Sequence, residues 1–340
     1  MYLIHGTYKM TVPQLVRLAE RYTKSLNHLS SISLAREYKL VEAEPAGFDS
    51  YRNVHTDQYV RLLESVYQEN KTVRGILSEA VAFERIGVGG TLMATRLALS
   101  ERCITYHLGG GYHHGMSDRP NGIDYCNDVA IALAQSFSCG IEKVLYVDLD
   151  AHHPDGVQKI FENDPRILQV SLHGWPSHTN EGHYSFIGMG AGRGKKINMP
   201  LPSHTGDNIY LKILNTLLMS VMQNYQPELV FYQAGVDPYY HDPVGCLNLS
   251  LRGLYERDKL VVTMCTRKPI PLVVVLGGGY DPLNTPRAII NTLAALAGKE
   301  IVFDEQKSLG APTSTKAIRW YGSLRTYLWE YLELQPIKEI

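Results

Sequence analysis

Five short apolar runs punctuate the chain: Cys103–Leu108, Val144–Leu149, Ile167–Leu172, Leu229–Gln233 and Pro271–Leu276. Most are rich in Val, Ile and Leu and show no polar alternation, the pattern of parallel strands buried on both faces. Longer stretches between them repeat at helical spacing. Thr56 is placed to cap a helix whose Tyr59, Leu62, Leu63 and Val66 share one face. Asp207 opens a second, carrying Tyr210, Leu211, Leu214, Leu217 and Leu218. Thr285-Pro286, then Arg287–Ala297 and Gly298, set out a cap, a first-turn proline and a terminal glycine in helix order. This alternation predicts an α/β fold with a doubly wound parallel sheet and crossover helices on both faces. No repeat, low-complexity tract or Ser/Gly-rich linker interrupts it, so one domain over residues 1–340 is expected.

Composition narrows the function. Lys plus Arg number 33 against 34 Asp plus Glu, a formal net charge of −1, so the basic excess of a nucleic-acid binder is missing. The five cysteines (Cys103, Cys126, Cys139, Cys246 and Cys265) form no C-x-x-C pair, and an odd, scattered set suits a reducing compartment. Met1-Tyr2-Leu3-Ile4-His5 lacks the charged-then-apolar shape of a leader, and no run approaches the roughly 20 apolar residues that cross a bilayer. A cytoplasmic protein without membrane or nucleic-acid partners is expected, with its oligomeric state open. Of the 13 histidines, five fall between His107 and His153. A single histidine is most often a surface or core residue, but such clustering suggests metal or acid–base chemistry.

Ligands of a doubly wound sheet bind beyond the C-terminal ends of its strands. Four apolar runs end in chemically loaded loops. Asp148-Leu149-Asp150-Ala151-His152-His153-Pro154-Asp155 follows the second. A carboxylate and an imidazole two residues apart can chelate one cation, and the pairing suits Zn²⁺ or another borderline divalent ion. Gly109-Gly110-Gly111-Tyr112-His113-His114-Gly115 follows the first. His114 stands where G-x-G-x-x-G needs glycine, so a dinucleotide loop is disfavoured, whereas paired histidines suit general-base work. Gln233-Ala234-Gly235-Val236-Asp237 offers Asp237 as a third ligand, with Asp242 and His241 as rivals. Two carboxylates and one imidazole leave a position open for catalysis. Leu276-Gly277-Gly278-Gly279-Tyr280 places a phenol where it can donate to a developing oxyanion. Taken alone, the last two are also read as a helix cap and a packing tyrosine.

In this order and spacing the four loops resemble the histone deacetylase family, over roughly Val54 to Ala297, including Val54-His55-Thr56-Asp57-Gln58-Tyr59. Gly87-Val88-Gly89-Gly90 and Arg257-Asp258 look closer to its class IV and bacterial branches. The resemblance implies an arginase/deacetylase-like fold, with a central parallel sheet of about eight strands flanked by helices on both faces. It implies a zinc-dependent amide hydrolase, with Fe²⁺ suiting the same ligands Asp150, His152 and Asp237. His113 would pair with Asp148 and His114 with Asp155. His114 would act as base and then as acid, and Tyr280 would polarise the carbonyl. A structural K⁺ or Na⁺ is expected beside Asp148, Asp150, His152, Ser171 and Leu172, and Gly122, Ile123, Val244 and Gly278 would touch substrate.

Several positions depart from the family. Gly122-Ile123-Asp124 replaces G-F-C, exchanging an aromatic channel wall for Ile123 and adding the Asp124 carboxylate. Pro154 stands where glycine is frequent, and Met1–Gly47 offers only Pro13 and Arg17 for the family's N-terminal punctuation. Glu69 is the candidate for the acidic grip on substrate backbone. Polyamine-specific members carry a glutamate in a D-P-E context; Asp242-Pro243-Val244 offers none. The expected substrate is therefore an acyl-lysine side chain, acetyl or longer, or a similar acylated amine. The alternatives are an acetylpolyamine or other small-molecule amidohydrolase, a two-metal arginase-like enzyme, and a metal-holding binding protein without catalysis. Intact His113, His114 and Tyr280 weigh against the last, and the lack of a clear second set of carboxylate ligands weighs against the two-metal enzyme.

Overall fold

A strand begins within each apolar run, and the one from Ile167 continues to Trp175. The computed structural model describes residues 1–175 and 182–305, so part of the expected 1–340 domain lies outside the described residues. The first half runs β1 (Tyr2–His5), α1 (Pro13–Ser30), β2 (Lys39–Glu42), α2 (Asp57–Gln68), the hairpin β3 (Thr72–Val73) and β4 (Ile76–Leu77), α3 (Ser78–Glu101), β5 (Ile104–His107) and α4 (Asp128–Ser138). The second runs β6 (Val144–Asp148), α5 (Asp155–Ile160), β7 (Ile167–Trp175), β8 (Lys196–Pro202), α6 (Asp207–Asn224), β9 (Leu229–Gln233), α7 (Leu251–Thr266), β10 (Leu272–Val275) and α8 (Asn284–Leu296). Eight strands form one parallel sheet in the order β2-β1-β5-β10-β9-β6-β7-β8, flanked by helices. No helix among the described residues is long and apolar enough to cross a membrane.

Three strands of the sheet lack a readable pattern for physical reasons. β1 is only four residues, yet Leu3 and Ile4 are fully buried between β2 and β5. β2 forms one edge and is mostly exposed. β8 forms the other edge, where Pro200 and Pro202 are tolerated because no further neighbour needs their missing N–H.

The helix starts follow side-chain chemistry, with one correction. The Thr56 hydroxyl accepts the Tyr59 N–H, as expected, and Asn127 and Ser250 cap α4 and α7 in the same way. Thr285 is not the cap of α8, because the helix begins at Asn284 and Asp281 Oδ1 accepts the N–H groups of Leu283 and Asn284. Gly298 does end that helix, at φ +64°. In α3 the glycines let the helix lie close to its neighbours. A Cβ at Gly90 would strike the His107 ring, and one at Gly87 the Tyr112 ring.

The four central strands are contiguous, β5-β10-β9-β6, and end flush: His107 pairs with Val275, Val275 with Gln233, and Gln233 with Asp148. Loops that are far apart in sequence therefore leave the sheet side by side. Phe231 on β9 is fully buried. Phe231→Ala is expected to lower the unfolding free energy by about 3–5 kcal/mol, read by urea titration; a loss below roughly 1 kcal/mol would show that this strand is not enclosed.

Candidate active site

The loops after β5, β10, β9 and β6 meet at the C-terminal edge of the sheet. Gly277 N–H donates to the Gly110 carbonyl at 3.0 Å, stitching two of them together. Gly111 and Gly277 have φ of +92° and +75°, and a Cβ on Gly111 would collide with the Gly277 backbone. Gln233, fully buried at the end of β9, donates to the Gly111 carbonyl at 3.0 Å.

Asp150, His152 and Asp237 converge, with one candidate ligand atom from each lying within 4.8 Å of the others. His152 Nδ1 is 3.1 Å from Asp150 Oδ1 and 2.9 Å from Asp237 Oδ2. Other oxygens of the pair are anchored: Gly278 N–H donates to Asp150 Oδ2 at 2.7 Å, and Ala151 N–H to Asp237 Oδ1 at 2.9 Å. Asp237 Oδ2 is buried and receives no aligned donor. Asp150 Oδ1 takes the His152 N–H and Nδ1, so within the triad it is the His152–Asp237 approach that lacks alignment, as for groups that point at a common centre. A Cβ at Gly278 would strike Asp237 Oδ2, and one at Gly235 would strike Asp150 Oδ2, so glycine is needed beside both carboxylates. The donor set and the orphaned oxygen fit a divalent cation.

The electrostatics agree. Burial, and then the charge of Asp150, push the Asp237 carboxyl up to about 7. Burial also works against ionised Asp150, but the neighbouring His113 and His152 outweigh it and hold that carboxyl well below its usual range. Burial opposes a charged His152, yet its two carboxylates raise the imidazole to about 11. Carboxylates gathered this deep are neutralised by protonation, by an imidazolium or by a bound cation.

Beside the triad stand two His–Asp pairs. His113 Nδ1 lies 2.8 Å from Asp148 Oδ2, and His114 Nδ1 lies 2.6 Å from Asp155 Oδ1. Their Nε2 atoms meet at 3.1 Å. Against burial, the charges of Asp148 and Asp150 raise His113 to about 10. The His113 side chain is 4% exposed and that of His114 27%, so His114 is the more open to a ligand. Asp148 turns toward His113 rather than joining the triad; its Oδ2 also takes the Tyr146 hydroxyl. The strand β6 ends at Asp148, and Asp150 and His152 belong to the loop beyond it.

A cavity of about 310 Å³ opens onto these groups, lined by His113, His114, Asp150, His152, Gly278 and Tyr280. Gly122 and Ile123 stand at its wall, with Ile123 60% exposed; Val244, 47% exposed, stands outside that wall. Asp124 lines it too, but its carboxylate is buried and accepts the His114 N–H at 2.9 Å. Ser171 pairs with Asp148 across β6 and β7, its hydroxyl 2.8 Å from His173 Nδ1, and Leu172 is fully buried beside it. Asp242, a rival for the third ligand position, instead accepts the N–H groups of Tyr280, Val244 and Gly245. Glu69 is exposed, bonded to Ser65 and Lys71, and is not among the residues lining the cavity.

A cation-ready triad beside doubled His–Asp pairs, set at the strand ends of a parallel α/β sheet, is the equipment of a deacetylase-type hydrolase. The comparison with known proteins gives the family: a histone deacetylase domain matches residues 16–296, and the chain belongs to that family. It is 30% identical over 291 residues to a "Probable deacetylase" of Archaeoglobus fulgidus, covering 83% of this chain and 81% of the relative. It is 29% identical over 289 residues to "Histone deacetylase HDAC1" of Drosophila melanogaster, covering 80% of this chain but 54% of that longer relative. Against "Histone deacetylase 8" of Xenopus tropicalis it is 28% identical over 288 residues, covering 80% and 77%.

Several residues that shape the site carry no local signal. Arg21 on α1 donates to the Gly279 carbonyl at 2.9 Å, next to Tyr280. Asp128 accepts the N–H groups of Gly111 and Tyr112, and Glu84 those of Tyr125 and Cys126. Asn121 donates to Asp155 Oδ2 at 2.7 Å. His55 accepts the Asn127 N–H at Nε2 and reaches the Met116 carbonyl at 2.9 Å, tying down the loop beyond the double histidine. Their partners lie tens of residues away, so only the folded chain pairs them.

Burial lowers His55 from its ordinary 6.5 to about 4. Below pH 6.5 the unfolded chain takes up this proton while the folded one resists until about 4, so stability falls as pH drops through that window. Asp124, raised by burial to about 6, partly offsets this. His55→Gln is expected to remove on the order of 3 kcal/mol of the fall between pH 6.5 and 4. Chemical denaturation at several pH values measures it, and an unchanged slope would refute it.

Proposed function

We propose that this chain is a metal-dependent deacylase that cleaves the amide of an acylated lysine side chain or a similar acylated amine. The convergence of Asp150, His152 and Asp237 beside the His113–His114 pair carries this reading. Zn²⁺ is the expected ion, with Fe²⁺ suiting the same ligands; when bound, such an ion supplies Lewis acidity that polarises the carbonyl and acidifies water.

The remaining steps fall to side chains. Asp155 holds the proton of His114 on Nδ1, which makes Nε2, 3.1 Å from His113 Nε2, the acceptor that takes a proton from attacking water and returns it to the leaving amine. Asp148 fixes His113 in the same way, and its charge favours a protonated His113 that helps balance the developing negative charge. The Tyr280 hydroxyl donates to the oxyanion. Burial, and then the charges of Asp237 and Asp150, raise its pKa well above 10, so it stays a donor at neutral pH. Arg21 and Asp242 pin the Tyr280 loop from either side. Gly122, Ile123 and Gly278 would line the substrate channel, with Val244 outside that wall. A structural K⁺ or Na⁺ would bind at Asp148, Asp150, His152, Ser171 and Leu172.

Ile123 at the cavity wall is uncharged, and Val244 stands where polyamine-specific members carry a glutamate, so neither offers a charge to a second ammonium, which favours acyl-lysine over polyamine. Side-by-side turnover of acyl-lysine peptides, from acetyl to long-chain, and acetylputrescine tests this. Preference for a peptide is expected, and clear preference for the polyamine contradicts it. Chelation should abolish hydrolysis and Zn²⁺ restore it; full activity in metal-free protein would end the proposal. Tyr280→Phe should fold normally and lose about 10²–10³ in kcat, with a loss below roughly threefold counting against an oxyanion role.

A further inference from the structure

Arg257 on α7 is fully buried, and no catalytic step uses it. Its guanidinium lies behind the triad. Nη1 donates to the Gly235 carbonyl at 2.6 Å and the Leu149 carbonyl at 3.2 Å, and Nη2 lies 3.5 Å from the Ala234 carbonyl. Leu149 immediately precedes Asp150, and Gly235 lies two residues before Asp237.

The sheet cannot do this work itself. The last β6–β9 pair is Asp148 with Gln233, and Leu149 N–H donates to the Gln233 carbonyl as the final rung. Beyond it the β9 chain turns to the other side: Ala234 N–H bonds the Val275 carbonyl and Val236 N–H the Gly278 carbonyl. The carbonyls of Leu149 and Gly235 would then face each other with no donor between them. A planar guanidinium, with several donors in a fixed fork, fills that gap. Its charge is balanced by Asp258, which accepts Nε at 2.8 Å and also takes the hydroxyls of Tyr232 and Thr292.

We propose that Arg257 is a positioning residue for the metal ligands, acting as the missing rung that sets the spacing of Asp150 and Asp237. The inference rests on the proposed metal site and concerns ion binding, not the chemical step. Groups that orient metal ligands from behind typically change affinity by about 10–100-fold when removed.

The test is metal binding. Zn²⁺ affinity is measured by chelator competition, and the visible spectrum is recorded for Co²⁺-loaded protein, in wild type, Arg257→Lys and Arg257→Met/Asp258→Asn. The double variant removes the buried charge together with its counter-charge, so it avoids stranding Asp258. Circular dichroism and thermal melting identify the folded variants. Each is expected to bind Zn²⁺ about 10–100-fold more weakly with an altered Co²⁺ band. Lysine, which keeps the charge and N–H donors but not the fixed fork that also holds Asp258, should retain more affinity than the double variant. A folded variant with wild-type affinity and spectrum overturns the inference, as does failure of both to fold, which would assign Arg257 to stability alone. Wild-type protein that binds no ion overturns the metal reading instead.

Discussion

Everything at this site follows from gathering carboxylates where water barely reaches. Asp148, Asp150, Asp155 and Asp237 are all nearly fully buried. Charges in such a place must be paired or neutralised. His113 and His114 answer Asp148 and Asp155. Asp150 and Asp237 share a single imidazole, and beyond that unaligned approach at 2.9 Å the buried Asp237 Oδ2 has no donor. The proposed cation would answer that imbalance, and the position left open by only three protein ligands would let it polarise an amide carbonyl.

The fold makes the gathering possible by placing β5, β10, β9 and β6 side by side and ending them at the same height. Glycines then let the emerging loops touch. Gly111 packs on Gly277, while Gly235 and Gly278 pack on the ligand carboxylates, places where any Cβ would force the chains apart. The outer supports come from helices: Arg21 on α1, Glu84 on α3, Asp128 on α4 and Arg257 on α7 each hold loop backbone. The site is thus a property of the whole sheet and its helices, not of any one motif.

Much of this was legible in the sequence, for a physical reason. Strands buried on both faces appear as continuous apolar runs, and the loops after them carry their chemistry at short spacing, so the four central strands and the family resemblance could both be read. What failed was what local pattern cannot encode. The edge strands Lys39–Glu42 and Lys196–Pro202 meet solvent or accept proline and so carry no apolar signature. The residues alone left Asp242 as a rival to Asp237, and the family resemblance favoured Asp237; in the structure Asp237 faces His152 while Asp242 is occupied by three backbone N–H groups. Thr285 looked like a cap because Pro follows it, but Asp281 already serves the preceding N–H groups.

The account stands on one ion held by three side chains. X-ray diffraction from crystals grown with Zn²⁺, with data collected on both sides of the zinc absorption edge, examines that directly. A single strong anomalous peak bounded by the carboxylates of Asp150 and Asp237 and by His152 Nδ1 is the predicted result. Ordered side chains with no anomalous density between them, and Asp237 turned toward another partner, would contradict it.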